Sequence, residues 1–162
     1  MIKNFYKVAD TFARYFVLAL FTVLLTIGAI QVIARYIFGA PLDWSEELLK
    51  FAHIWLVFMA IPIAYNHGSH ICVDMISGLL PQKMQNALAF VVDVLWVGFS
   101  VVFIYYSLII MEVSQNQTSA GLQIPMSYVY FGVVLGVTYL LLCSARNLAC
   151  RVTHIFKPEA SQ

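Results

Sequence analysis

The residues able to do chemistry are few. The densest group runs from Arg35 through Asp43-Trp44-Ser45-Glu46-Glu47 to Lys50 and His53. Asp43 followed three positions later by Glu46 is a capping box in acidic form, and it predicts a helix starting at Trp44. On that helix Glu46, Lys50 and His53 share one face at i, i+4 and i+7, and Trp44 and Trp55 share a face as well. An exposed i,i+4 ion pair contributes only about 0.2–0.5 kcal/mol. A helix start with an interfacial tryptophan and such a pair accounts for Asp43, Trp44 and Lys50. It accounts less well for the doubled acids Glu46 and Glu47 beside an apolar run.

Histidine could hold haem between two facing helices. Here His53 and His67 fall on one helix, His70 just follows it, and His154 lies near the C-terminus. No second apolar run offers a histidine to face His53, and His67-Gly68-Ser69-His70 has no third ligand nearby. No metal, cofactor or catalytic residue is therefore expected. Cys72, Cys143 and Cys150 form no paired framework and read as small apolar residues.

Asp93 is an isolated acid inside an apolar run, where an acid costs of order 3 kcal/mol on insertion scales. It must face protein or water. It could relay protons or bind an ion, but a relay needs partners of similar kind and no other span holds a deep acid or base. A hydrogen bond to a helix of this chain or of a neighbour is the favoured role, and Asn would then preserve most of it. Gly132-Val-Val-Leu-Gly136 is a GxxxG pattern that lets another backbone approach closely, with Cys143 extending the small-residue face. Pro62 should bend its helix by removing one backbone hydrogen bond.

These residues must be positioned by membrane-spanning helices. Of 162 residues, 62% are apolar and 10% charged. A chain this short cannot hide so much apolar surface from water. A soluble enzyme, a disordered tail and a nucleic-acid binder are thereby disfavoured. Four runs suit helical spans: Tyr15 to Ala34, Leu48 to Tyr65, Met84 to Met111 and Ile124 to Ala145. The expected fold is an all-α integral membrane protein of four transmembrane helices with short amphipathic interfacial helices. Residues 1–14 form an amphipathic N-terminal segment. Lys3, Lys7, Asp10 and Arg14 fall on one face, which suits a helix lying on the membrane before turning in. Residues 15–145 form the four-helix domain, and residues 146–162 a cytoplasmic tail. The first span should remain as an uncleaved anchor.

Arg35-Tyr36, Asp43-Trp44-Ser45-Glu46-Glu47, Trp55, Gly68-Ser69-His70-Ile71-Cys72-Val73-Asp74 and Leu122-Gln-Ile-Pro-Met-Ser-Tyr128 together resemble the DctQ-like small membrane subunit of tripartite ATP-independent periplasmic (TRAP) transporters. The resemblance covers about Arg35 to Tyr139. Lys50 stands where that family more often has Arg, which keeps the charge and gives up the planar fork. The resemblance implies a partner, a large multi-spanning permease subunit carrying the substrate and sodium sites. It also implies a periplasmic substrate-binding protein, uptake of an organic acid driven by a sodium gradient, and a scaffold role in the bacterial inner membrane. Acids beside anionic lipid need an answering cation. Arg35, Trp44, Glu46, Glu47, Lys50, Asp93, Gly132 and Gly136 are accordingly expected at the partner interface. Two alternatives share the size and span number. A haem- or quinone-linked membrane anchor of a redox complex requires a facing His pair. A small self-assembling exporter requires a Glu in the first span, and Tyr15 to Ala34 has none.

The cations orient the chain. Lys3, Lys7 and Arg14 precede the first span, Arg146, Arg151 and Lys157 follow the last, and Glu112 to Gln123 has none. Both termini should be cytoplasmic. A reporter active only in the periplasm should be active when fused after Gln117 and silent after Gln162. The reverse pattern would overturn the topology.

Overall fold

The computed structural model describes residues 2–40, 42–68 and 81–156, with side chains at 8–40, 42–66, 81 and 84–153. Four helices make up nearly all of it: α1 (Ile2–Tyr36), α2 (Asp43–Gly68), α3 (Gln82–Val113) and α4 (Ser127–Phe156). All four are long and apolar enough to cross a membrane. A 3-10 turn, Ser114–Asn116, follows α3. The stretch carrying His70-Ile71-Cys72-Val73-Asp74 lies outside the described residues.

Each helix outruns its apolar core. α1 is continuous over 35 residues, about 52 Å at 1.5 Å per residue. The turn expected near Arg14 is absent. Neither Gly nor Pro occurs before Gly28, and Asp10 and Arg14 pair at 2.9 Å across the expected junction. Such a helix exceeds the hydrocarbon thickness of ~30 Å, so it tilts or protrudes. α4 likewise continues past Ala145 through Arg146 and Arg151 to Phe156. The beginning of the expected tail is helix.

The close pairs are α1 on α2, α2 on α4, and α4 on α3. α4 is the central element. Val129, Val133, Val137, Leu140 and Cys143 are all buried along it. Lipid tails are as apolar as leucine, so helices in a bilayer are drawn together by close packing more than by expulsion of water. The sequence supplies small residues where this packing is tightest. A Cβ built on Gly132 would lie inside the Trp55 indole, and one on Gly136 would collide with the Phe58 carbonyl of α2. Ser45, Ser100 and Ser144 are fully buried. Each returns its hydroxyl to a backbone carbonyl three or four residues earlier, Leu42, Trp96 and Leu141 respectively. Their polar atoms are thereby satisfied without a partner helix.

Gly132 and Gly136 were expected at an interface with a partner protein. The structure puts both against α2 of the same chain: Gly136 meets the Phe58 backbone, and Gly132 makes room for the Trp55 indole. Aromatic contacts complete the assembly: Phe16 with Trp55 joins α1 to α2, and Phe58 with Phe103 and Tyr65 with Trp96 join α2 to α3. The outer faces of α1 (Leu18, Phe21, Leu25) and α3 (Leu95, Val102, Tyr105) remain exposed and apolar, as a lipid belt requires.

Gly136→Ala should lower stability in detergent by about 1–3 kcal/mol, because the backbone that it would strike cannot move aside. Gly28→Ala and Gly98→Ala meet nothing within 4 Å and should not destabilise. Thermal unfolding of the three variants checks this. Equal midpoints would show that α2 and α4 are not held at this contact.

Candidate functional site

The polar contacts between different segments of the chain cluster toward the two ends of the helical assembly. At one end α1 finishes, α2 starts, and residues 117–126 connect α3 to α4. Thr118 and Pro125 form a short antiparallel bridge, closed by Met126 N–H to the Gln117 carbonyl at 2.9 Å. Gln123 turns the connection with φ 53°. The tip of this turn is held by Glu47, whose two carboxylate oxygens accept the N–H groups of Gly121 and Leu122, each at 2.9 Å. A Cβ on Gly121 would stand only 3.2 Å from Oε2 of Glu47, so glycine permits this approach. Glu46 points the other way, to α1. Its Oε1 accepts from Gln31 Nε2 at 3.3 Å and lies 3.7 Å from the Arg35 guanidinium. The doubled acids thus do two jobs, one per neighbour. A shallow recess of about 590 Å³ opens beside them, lined by Leu42, Asp43, Trp44, Glu47, Ala120 and Gly121.

The start of α2 differs in detail from the capping-box expectation. The helix begins at Asp43, and the Ser45 N–H and hydroxyl both donate to the Leu42 carbonyl. Glu46 does not turn back to the first turn because Arg35 and Gln31 hold its carboxylate.

At the opposite end Asp93 is 3% exposed. The Tyr65 hydroxyl of α2 donates to its Oδ1 at 2.7 Å. Arg151 of α4 brings Nε to 2.5 Å from Oδ2. That contact is an ion pair, and Oδ2 accepts no hydrogen bond among the described residues. One acid therefore ties α3 to both α2 and α4. Asn66 Nδ2 donates to Cys143 Sγ at 3.3 Å, and the Tyr139 hydroxyl reaches Asp10 of α1 at 3.5 Å. All four helices meet in polar contacts at this end.

The structure therefore separates the expected interface residues. Arg35, Glu46, Glu47 and Asp93 are engaged inside the chain, and so are Gly132 and Gly136. The chain's own folding supplies partners for these groups, and Arg35 and Glu46 stay about half exposed at their ion pair. Trp44 and Lys50 are exposed. Tyr65, Gly121 and Arg151 were missed. The signal for Arg151 was the unanswered Asp93. It could be read only if α4 was known to continue beyond its apolar run.

These features are matched by known sequences. Residues 24–154 fit the family model for the DctQ component of tripartite ATP-independent periplasmic transporters. The chain belongs to that DctQ family. It is 32% identical over 139 residues to an isethionate TRAP transporter permease protein of Oleidesulfovibrio alaskensis, a match covering 81% of this chain and 22% of the relative. The chain thus spans about a fifth of that relative's length. It is 25% identical over 143 residues to a putative TRAP transporter small permease protein of Haemophilus influenzae, covering 88% of this chain and 87% of the relative. A sialic acid TRAP small permease protein of Vibrio cholerae is 24% identical over 93 residues, covering 57% of this chain and 54% of that one. The DctQ chain described here is accordingly a multi-pass membrane protein and a transporter's small permease subunit, not an enzyme.

Asp93→Leu should cost about 1–3 kcal/mol, since it removes the counter-ion of a half-buried Arg151 and the acceptor of Tyr65. The ion pair changes the expectation for Asn. Asp93→Asn should be intermediate, because the tyrosine keeps an acceptor while the arginine loses its charge partner. Adding Arg151→Leu to Asp93→Leu should recover part of the loss. Denaturant unfolding in micelles of the wild type, these variants and Arg151→Leu alone measures the coupling. Strict additivity would show that the pair is not coupled.

Proposed function

We propose that this DctQ subunit is the stationary scaffold of a three-component importer in the bacterial inner membrane, with both termini cytoplasmic. Its partners are a large permease subunit and a periplasmic substrate-binding protein. Uptake is driven by a sodium gradient. The cargo is an organic acid, such as a dicarboxylate, a sialic acid or a similar carboxylated solute. Relatives named for isethionate and for sialic acid support an anionic organic cargo.

The observation that carries this reading is where the polar groups go. Asp93, Tyr65, Arg151, Glu47 and Glu46 bind one another or the chain's own backbone. They hold helices in place and do not converge on a mid-membrane site. A transporter's own substrate site is built from broken helices at mid-depth, whereas each of these four spans is one unbroken helix. Something that stays still is what a sliding transport domain needs. Moving the wide apolar belt of α1 and α3 along the membrane normal would expose it to water. The recess beside Glu47 and the 117–126 connection give the outer end a surface for the binding protein.

The redox-anchor alternative gains no support. His53 is exposed on α2, and the relatives are transporter subunits.

Reconstitution tests the division of labour. Liposomes holding this chain alone, given a sodium gradient and the solute carried by the binding protein, should show no saturable uptake. Adding the large permease and the binding protein should give it, and withholding this chain should abolish it. Gradient-dependent uptake by the chain alone would refute the scaffold reading.

A further inference from the structure

Lys50 and His53 are exposed on α2, and neither has an ion pair or hydrogen bond among the described residues. They lie on one stripe with Glu46, Val57 and Ala64, all exposed, within about 60° of the helix circumference at 100° per residue. The opposite side of α2 carries Trp55, Pro62 and Tyr65, which face the rest of the chain. The stripe is therefore the outward face of a helix whose back is fully used.

Depth makes this stripe unsuited to lipid. The α2 span runs Asp43–Asn66, and His53 lies about 15 Å along the axis from its start. Lysine can bury its stem and return its ammonium to the interface. An imidazole is too short to do so from that depth. Lipid tails offer no hydrogen-bond partner, and polar side chains within spans face protein or water. The outer faces of α1 and α3, by contrast, expose leucine, valine and aromatic residues.

The chemistry of the stripe also selects its occupant. Its one acid, Glu46, is already held by Gln31 and Arg35. What remains on offer is an ammonium and an imidazole, both able to donate to an anion. A second copy of this chain in the same membrane orientation would set Lys50 against Lys50, which is repulsive in a two-fold contact. A lipid headgroup cannot descend to His53.

We propose that a spanning helix of the large permease subunit seats on the Glu46–Lys50–His53–Val57 stripe and presents a carboxylate to Lys50 and His53. This rests on the reading of the chain as the small subunit of such a pair.

The test uses the co-expressed subunits in native membranes. A photoreactive p-benzoylphenylalanine replaces His53, and in parallel Leu95 on the outer face of α3. Illumination should join position 53 to the large permease, at a peptide of a spanning helix that contains Asp or Glu, and should join position 95 to lipid. Lys50→Glu should reduce copurified permease about tenfold, the range of one interhelical polar contact. Reversing the crosslinked acid to Lys should restore it. Position 53 crosslinking only to lipid or to a second copy, while the permease still copurifies, would overturn the assignment of this face. No copurification of the unaltered subunits would overturn both the face and the two-subunit reading.

Discussion

The close approach of α4 to α2 at Gly136 is the contact on which the other arrangements depend. In a bilayer there is little gain from bringing apolar helices together, because lipid serves almost as well as a neighbouring leucine. Association must come from dense packing and from polar bonds that lipid cannot replace. Gly132 and Gly136 admit Trp55 and the Phe58 backbone where any side chain would block them. Once α2 and α4 are that close, α1 can lie along the other flank of α2 and α3 along α4. α4 then becomes the buried element, and the outermost helices keep their apolar faces for lipid.

Polar clasps lock the two ends of this arrangement. Glu47 captures two backbone N–H groups of the turn before α4. Asp93 binds Tyr65 and Arg151. Both clasps use a carboxylate from one helix to answer groups from elsewhere in the chain, and at buried Asp93 a stranded charge would be costly. Closely packed in the middle and clasped at each end, the four helices form a stiff body. Such packing suits the scaffold role proposed above.

The same economy explains what is left over. Most of the polar residues singled out along the chain are consumed in folding. Among the described residues Lys50 and His53 have no such partner, and they lie on the outward side of α2. Interior polar groups hold the chain together, and the exposed donors on α2 are the basis of the proposed contact with the large permease.

The sequence by itself determined the class, the span number and the family. Length, apolar content and the spacing of charges leave little choice for a chain that must satisfy its backbone inside lipid. The motif residues from Arg35 to Tyr128 are local strings, readable without knowing where they sit in space. Only the tertiary structure decided who answers whom. Glu47 and Gly121, Asp93 and Arg151, and Gly136 and Phe58 are each separated by dozens of residues, and their meeting depends on how helices pair and stagger. Periodicity could place Asp93 inside a span but could not supply its counter-ion, because Arg151 becomes available only when α4 runs on past its apolar stretch. For the same reason the small-residue face of α4 read equally well as a contact with a partner or with a neighbouring helix. A glycine stripe specifies that a backbone will come close, and the chain's fold specifies which one.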